Sequence, residues 1–292
     1  MATALPRAIR LRLDQALAQW PHWDLQPAPG SPPRVLQPLG QGLSNHSFLL
    51  EAGARRFVLR LDGLNPHAYG LNRQTEWRIL HNACAAGLAP RPRYCNPELG
   101  ALVCDYLAPD PATAEDPVAV AALLRAIHRL PAVHARLDLS ERCRRHEHTL
   151  RAAAGAGWHA LAALAEPLAL LLEQAETLAG PLLLCHNDLL RSNRLHSGGR
   201  LWAVDWEYAA MGSAWFDLAA VQAGDEMPEA DSRALLQAYL GREPQPQQLH
   251  TLALFDCIYR YLELLWYAQR ENNVNTGFWR GKLDRLQQRL QY

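Results

Sequence analysis

The sequence predicts an α+β protein of two lobes, a small β-rich amino-terminal lobe and a larger, mainly helical carboxy-terminal one. Three observations predict it. Residues 1–105 hold short β-type runs punctuated by Gly and Pro; alanine- and leucine-rich helical patterns dominate from about residue 115; Pro109 and Pro111 interrupt the chain between the two regimes. The expected boundaries are 1–104 for the first lobe, 105–109 for a hinge and 110–292 for the second lobe. A chain of 292 residues is long enough to bury a substantial core.

The elements follow in order. Ala8 to Trp20 carries apolar residues at helical spacing and breaks at Pro21. After the Pro-rich stretch 26–33, Val35–Leu39 and Ser47–Leu50 form strands around Gly40-Gln41-Gly42, and Phe57–Leu61 follows the turn Ala52-Gly53-Ala54. Arg73 to Ala86 is a helix closed by Gly87. Ala101–Leu107 is one more strand. In the second lobe, Asp116–Leu130 is an amphipathic helix stopped by Pro131, and Pro167–Leu178 is another. Leu182–Cys185 and Leu201–Val204 are short strands flanking a polar loop. From Asp231 to Leu290 the pattern is almost wholly helical, with loops at Gly241 and Gly277.

Composition excludes several functions. The 29 basic side chains balance 29 acidic ones, which argues against a nucleic-acid or membrane-surface binder. The single lysine is Lys282, so a Schiff-base lysine early in the chain and a Walker-A lysine are excluded. Six scattered cysteines without a C-x-x-C pair suit reduced thiols, and no window is apolar enough for a membrane span. The class expected is a soluble cytoplasmic enzyme; oligomeric state is not encoded legibly.

The chemistry concentrates in His186-Asn187-Asp188-Leu189-Leu190-Arg191-Ser192-Asn193 and in Val204-Asp205-Trp206-Glu207-Tyr208. A strand ending in a polar loop exposes Asp188 and Asn193, and a hairpin-like return places Asp205 at the end of the next strand. One carboxylate, Asp188, can accept a proton from a substrate hydroxyl. The amide oxygen of Asn193 and the carboxylate of Asp205 are hard ligands suited to Mg²⁺. Phosphoryl transfer needs those parts and little else.

H-x-D-x-x-x-x-N followed twelve residues later by Asp205 resembles the catalytic core of the protein-kinase-like superfamily. Within it the chain is similar to the aminoglycoside phosphotransferase and choline/ethanolamine kinase branch. Cys185–Asp188, Val204–Tyr208 and Trp215-Phe216-Asp217-Leu218-Ala219 carry that likeness; thiamine kinases share the D-W-E-Y string. The resemblance implies a two-lobed protein-kinase-like fold, ATP as phosphoryl donor and Mg²⁺ as cofactor. Gly40, Gly42, Ser44 and Asn45 would then bring backbone N–H groups to the phosphates. Arg60 would stand where protein kinases place a lysine, with Glu76 as its ion-pair partner and Asp62 as a local competitor. Asp105 to Leu107 would be the hinge over which adenine stacks. His186, His128 and Asp217 would be structural supports of the loop.

The acceptor is expected to be a small amino alcohol, choline or ethanolamine. A quaternary ammonium needs aromatic faces and carboxylates, each cation–π contact contributing about 0.5–2 kcal/mol. Trp215, Tyr259, Trp266 and Tyr267, with Glu207, Asp225 and Glu226, are the candidates. Tyr259, Glu263, Trp266, Tyr267 and Arg270 share one face of a helix, although such stripes also build cores. Thiamine, an aminoglycoside or an amino sugar are alternatives. A non-catalytic kinase-like binding protein is the rival from another class, and the intact Asp188, Asn193 and Asp205 set speaks against it.

Overall fold

Alternation of apolar residues along the first strands sets up a sheet with two unlike faces. The computed structural model describes residues 5–41, 45–63, 66, 70–111, 115–270 and 276–291. The chain divides into two compact units, Met1–Thr113 with Leu195–Tyr208, and Ala114–Arg194 with Ala209–Tyr292. Among the described residues, the first unit holds a five-stranded antiparallel sheet in the order β1-β2-β3-β5-β4, where β1 is Arg34–Gln41, β2 Asn45–Ala52, β3 Arg55–Asp62, β4 Pro92–Asn96 and β5 Ala101–Asp105. The β2–β3 hairpin turns on two residues, and Gly53 supplies the positive φ (61°) that so short a turn requires.

Period-two geometry does the rest. Phe57, Leu59 and Leu61 of β3 point to one face, joined there by Phe48, Leu50, Ala101 and Val103. Helix α1, Arg7–Ala18, covers that face with Ile9, Leu13 and Ala16. Burying Ile9 or Leu13 contributes roughly 1.5–3 kcal/mol each. Arg60, one residue out of phase, is therefore directed to the opposite face. Helix α2, Arg73–Ala85, starts at Asn72, whose side chain accepts from Thr75 N. It ends in a left-handed Gly87 (φ 72°), with Gly87 N donating to Cys84 O and Leu88 N to Ala83 O.

In the second unit α3, Pro117–Ile127, is capped by Asp116, with a proline in its first turn. Then come α4 Leu139–Ala153, α5 Ala156–Leu161 and α6 Ala165–Leu178. Strand β6, Leu182–Cys185, leads to the polar loop, and β9, Ala210–Ser213, pairs antiparallel with it; the intervening hairpin, β7 Arg194–Ser197 and β8 Arg200–Ala203, belongs to the first unit from Leu195 onward. Helices α7 Ala214–Gly224, α8 Glu229–Leu240, α9 Pro246–Ala268 and α10 Gly277–Leu290 complete the second unit. The α+β class matches expectation. The loop expected at Gly277 is corrected: Thr276 caps a helix that begins there, its side chain accepting from Trp279 N. The strand expected to run to Leu107 stops at Asp105. Among the described residues no helix is long and apolar enough to cross a membrane.

Helix α4 has one buried polar residue with a measurable consequence. Burial, reinforced by Arg142, lowers the pKa of His146 to about 4, against a hydrogen bond with Gln269 that opposes the shift. The neutral ring is thus favoured in the fold. Stability from this site is full above the unfolded value near 6.5 and is lost as pH falls from there to about 4, by ~3 kcal/mol. His146→Gln should flatten that part of the urea-unfolding profile between pH 6.5 and 4; an unchanged slope would refute the assignment.

Candidate active site

Each unit carries a cluster of the expected site residues. In the second unit, β6 delivers the chain into the loop at His186, and Asn187 adopts φ 62°, a left-handed conformation uncommon outside glycine. Asp217, in the first turn of α7, holds the turn in place. Its carboxylate accepts from His186 N at 2.9 Å and Asn187 N at 2.7 Å, and pairs with His128 Nε2 at 3.0 Å. His128 Nδ1 in turn meets Tyr239 Oη at 2.7 Å. Burial alone would raise Asp217, yet His128 and the backbone donors keep its carboxyl below the usual range. His186 is fully buried, in keeping with a support rather than an acid or base.

Asp188 is half-buried and Asn193 orients it: Asn193 Nδ2 donates to Asp188 Oδ2 at 2.9 Å and to Asp188 O at 2.8 Å. With its amide nitrogen so engaged, Asn193 has its oxygen to offer a cation. Arg194 ties the loop down, donating to Leu189 O at 2.5 Å and pairing with Glu115 and Asp225. Asp225 also accepts from Arg191 N at 2.8 Å. Gly224 is required by close approach: a Cβ there would lie 2.2 Å from Leu190 Cδ2 and 3.0 Å from Tyr259 Oη.

The aromatic residues of α9 divide. Tyr259 is buried and tilted against Phe216 at 5.9 Å between centroids. Burial, then Glu263, then Asp188 raise its phenol well above the ordinary value, and Tyr267 is raised by burial, Glu263 and Asp188 as well. Trp266 and Tyr267 meet edge-on at 5.1 Å, and Arg270 stacks over Trp266 at 3.5 Å. Trp266 Nε1 is buried without an acceptor among the described residues. Glu263 pairs with Lys282 at 2.9 Å, and Glu226 with Arg285 at 2.5 Å. Trp215 is half-buried at the start of α7.

The first unit holds the charged cluster. Arg60 Nη1 and Nη2 fork onto Glu76 at 2.6 and 2.7 Å, and Nη1 also donates to Asp205 Oδ1 at 2.7 Å. Asp62 does not take Arg60; it is paired with Arg73 at 2.6 Å. Gly100 lets Asp62 sit there, since a Cβ at Gly100 would fall 2.7–2.9 Å from the Asp62 side chain. Arg73 donates further to Glu76 at 2.8 Å and to Glu207 at 3.0 Å, and Asn45 Nδ2 reaches Glu207 at 3.0 Å. Glu207 is thus compensated within this cluster instead of standing as an unpaired acid. Burial would raise Glu76, but Arg60 and Arg73 hold it below its usual value. Asp205, left-handed at φ 60°, is raised to about 6, chiefly by burial and then by Glu207. Asp105 receives both arms of Arg93 at 2.7 Å, and Leu107 lies half-buried in the extended segment beyond β5. Gly40 ends within β1, whereas Gly42 and Ser44 lie outside the described residues. Sequence reasoning missed Arg73, whose spacing of three from Glu76 was its one visible signal.

The second unit thus holds a braced Asp188–Asn193 loop, and the first holds an arginine–glutamate pair bound to a left-handed aspartate. Residues 35–252 match the phosphotransferase enzyme family, and the chain belongs to that family. It is 29% identical over 99 residues to a LicA homologue of Mycoplasma capricolum subsp. capricolum, a stretch of 34% of this chain and 40% of that relative's length. Its fold is similar to that of a choline/ethanolamine kinase family protein from Mesorhizobium loti, with TM-score 0.70, 23% identity, and 96% of this chain and 95% of that one covered. Choline kinase LicA from Streptococcus pneumoniae aligns with TM-score 0.71 and 21% identity over 88% of this chain and 94% of that one. LicA has also been solved in complex with AMP.

Proposed function

We propose that this phosphotransferase moves the γ-phosphoryl group of ATP to the hydroxyl of a small amino alcohol, choline or ethanolamine. The observation that supports the acceptor is on α9: Tyr259 packs against Phe216, Trp266 meets Tyr267 edge-on, and Glu263 lies on the same helix, with Asp188 and Glu263 among the charges that raise both tyrosine phenols. The buried Trp266 Nε1 lacking an acceptor adds a donor to the same helix. Asp225 and Glu226, paired with Arg194 and Arg285, act as braces in this reading.

Asp188 accepts the hydroxyl proton, oriented by Asn193 Nδ2. Arg60 contacts phosphate oxygens and stays charged throughout, its guanidinium favoured by Glu76 and Asp205 despite burial. Gly40 and Asn45, at the facing ends of β1 and β2, are assigned to the phosphates, and the Asp105–Leu107 segment to the adenine. The chain's chemistry fits Mg²⁺: in the first unit four carboxylates (Asp62, Glu76, Asp205, Glu207) share two guanidiniums (Arg60, Arg73), and Asp205 is raised to about 6 by that crowding and burial. Asn193 and Asp205 would hold the ion, which neutralises phosphate charge when bound.

One screen tests the function. With Mg²⁺ and ATP, ADP release is measured against choline, ethanolamine, thiamine, aminoglycosides and amino sugars. The expected result is the highest kcat/KM with choline or ethanolamine. Turnover confined to thiamine or an aminoglycoside would reassign the acceptor; no turnover with any, and no stabilisation by Mg²⁺ and ADP, would leave a non-catalytic binding protein.

A further inference from the structure

We propose that Arg73 is a positioning residue for phosphoryl transfer, fixing Asp205 as a cation ligand by holding Glu76 and Glu207 at once. The inference rests on the function proposed above. Arg73 opens α2, is 8% exposed, and reaches carboxylates on three separate segments. It meets Asp62 at the end of β3 at 2.6 Å, Glu76 on α2 at 2.8 Å and Glu207 after β8 at 3.0 Å. Its Nε also donates to Asp62 Oδ2 at 3.1 Å. The planar guanidinium spreads these contacts over Nε, Nη1 and Nη2, whereas an ammonium gathers its three donors on one nitrogen.

Asp205 lies between two anchors. Two residues before it, Ala203 N donates to Leu88 O at 2.8 Å, so the capped end of α2 fixes β8. Two residues after it, Glu207 is held by Arg73 and Asn45. Between those points the backbone turns left-handed, at φ 60°, a conformation that surrounding contacts must enforce on an aspartate. Arg60 cannot supply the second anchor, because it binds Asp205 itself and is the group that meets phosphate. Arg73 touches neither Asp205 nor, in this scheme, the nucleotide. It acts through Glu207.

The test uses Arg73→Met, Arg73→Lys and Glu207→Gln in the whole chain. The readout is the Mg²⁺ concentration giving half of the ADP-induced rise in melting temperature, with kcat and the acceptor KM alongside. Arg73→Met should raise that Mg²⁺ concentration and lower kcat, each about 10–100-fold, with the acceptor KM unchanged. Glu207→Gln should reproduce the Mg²⁺ shift, and Arg73→Lys should recover it only in part. An Arg73 with a merely structural role would lower the melting temperature and leave the Mg²⁺ dependence as in the wild type, which overturns the proposal. Where Arg73→Met does not fold, an unshifted Glu207→Gln overturns it equally. If the wild type shows no Mg²⁺-dependent stabilisation by ADP, the proposed function fails first and this inference falls with it.

Discussion

Asp188→Ala is expected to lower kcat by about 10²–10⁴-fold while stabilisation by Mg²⁺ and ADP survives. The expectation follows from where the residue stands. Asp188 is half-buried, and Asn193 Nδ2 keeps its second bond, to the Asp188 carbonyl at 2.8 Å, after the side chain is removed. Losing the Asn193–Asp188 side-chain hydrogen bond costs about 1 kcal/mol, and the carbonyl bond still holds the loop. The arginine cluster proposed for the phosphates belongs to the other unit. Asp188→Asn, nearly isosteric, should fall as far in kcat, since an amide cannot take the proton. Retention of wild-type turnover by either variant would remove Asp188 from the chemistry.

The second large effect is on stability. Asp217→Ala should cost about 3–5 kcal/mol, read as a lowered urea midpoint, because a fully buried carboxylate serves two backbone N–H groups and His128. Its loss leaves both N–H groups buried without their acceptor. It also releases the left-handed turn at Asn187, so kcat should fall in whatever fraction remains folded. Asp217→Asn keeps one oxygen but turns an amide N–H toward a donor, and should lie between the alanine variant and the wild type. A midpoint within error of the wild type would show that the loop is held by something else.

These two residues also mark what the sequence made legible. Asp188, Asn193 and Asp205 stand at fixed spacings in one stretch, so local pattern reaches them, and the β7–β8 hairpin that returns the chain to Asp205 is there as expected. Helix α4 was not legible, because only Cys143, His146 and Leu150 of its fifteen residues are buried and its apolar stripe is thin. Helix α7 failed the other way: eight of its eleven residues are buried, so no polar face reveals a period. Strand β4 is largely polar and half-buried. Arg73 was missed for a different reason. Its three carboxylates come from positions 62, 76 and 207, and convergence over that separation is a property of the fold alone.

Lys282 is 2% exposed, paired with Glu263 at 2.9 Å, and it is the only lysine in the chain. Every other basic side chain is an arginine or a histidine. The solvent-facing protein therefore offers no lysine amine to acylating reagents, aldehyde crosslinkers or enzymes that build isopeptide bonds. Apart from its histidines, its positive surface is guanidinium throughout, and that charge does not titrate across the biological pH range. Thiol reagents, by contrast, find Cys84 and Cys95 partly open to solvent.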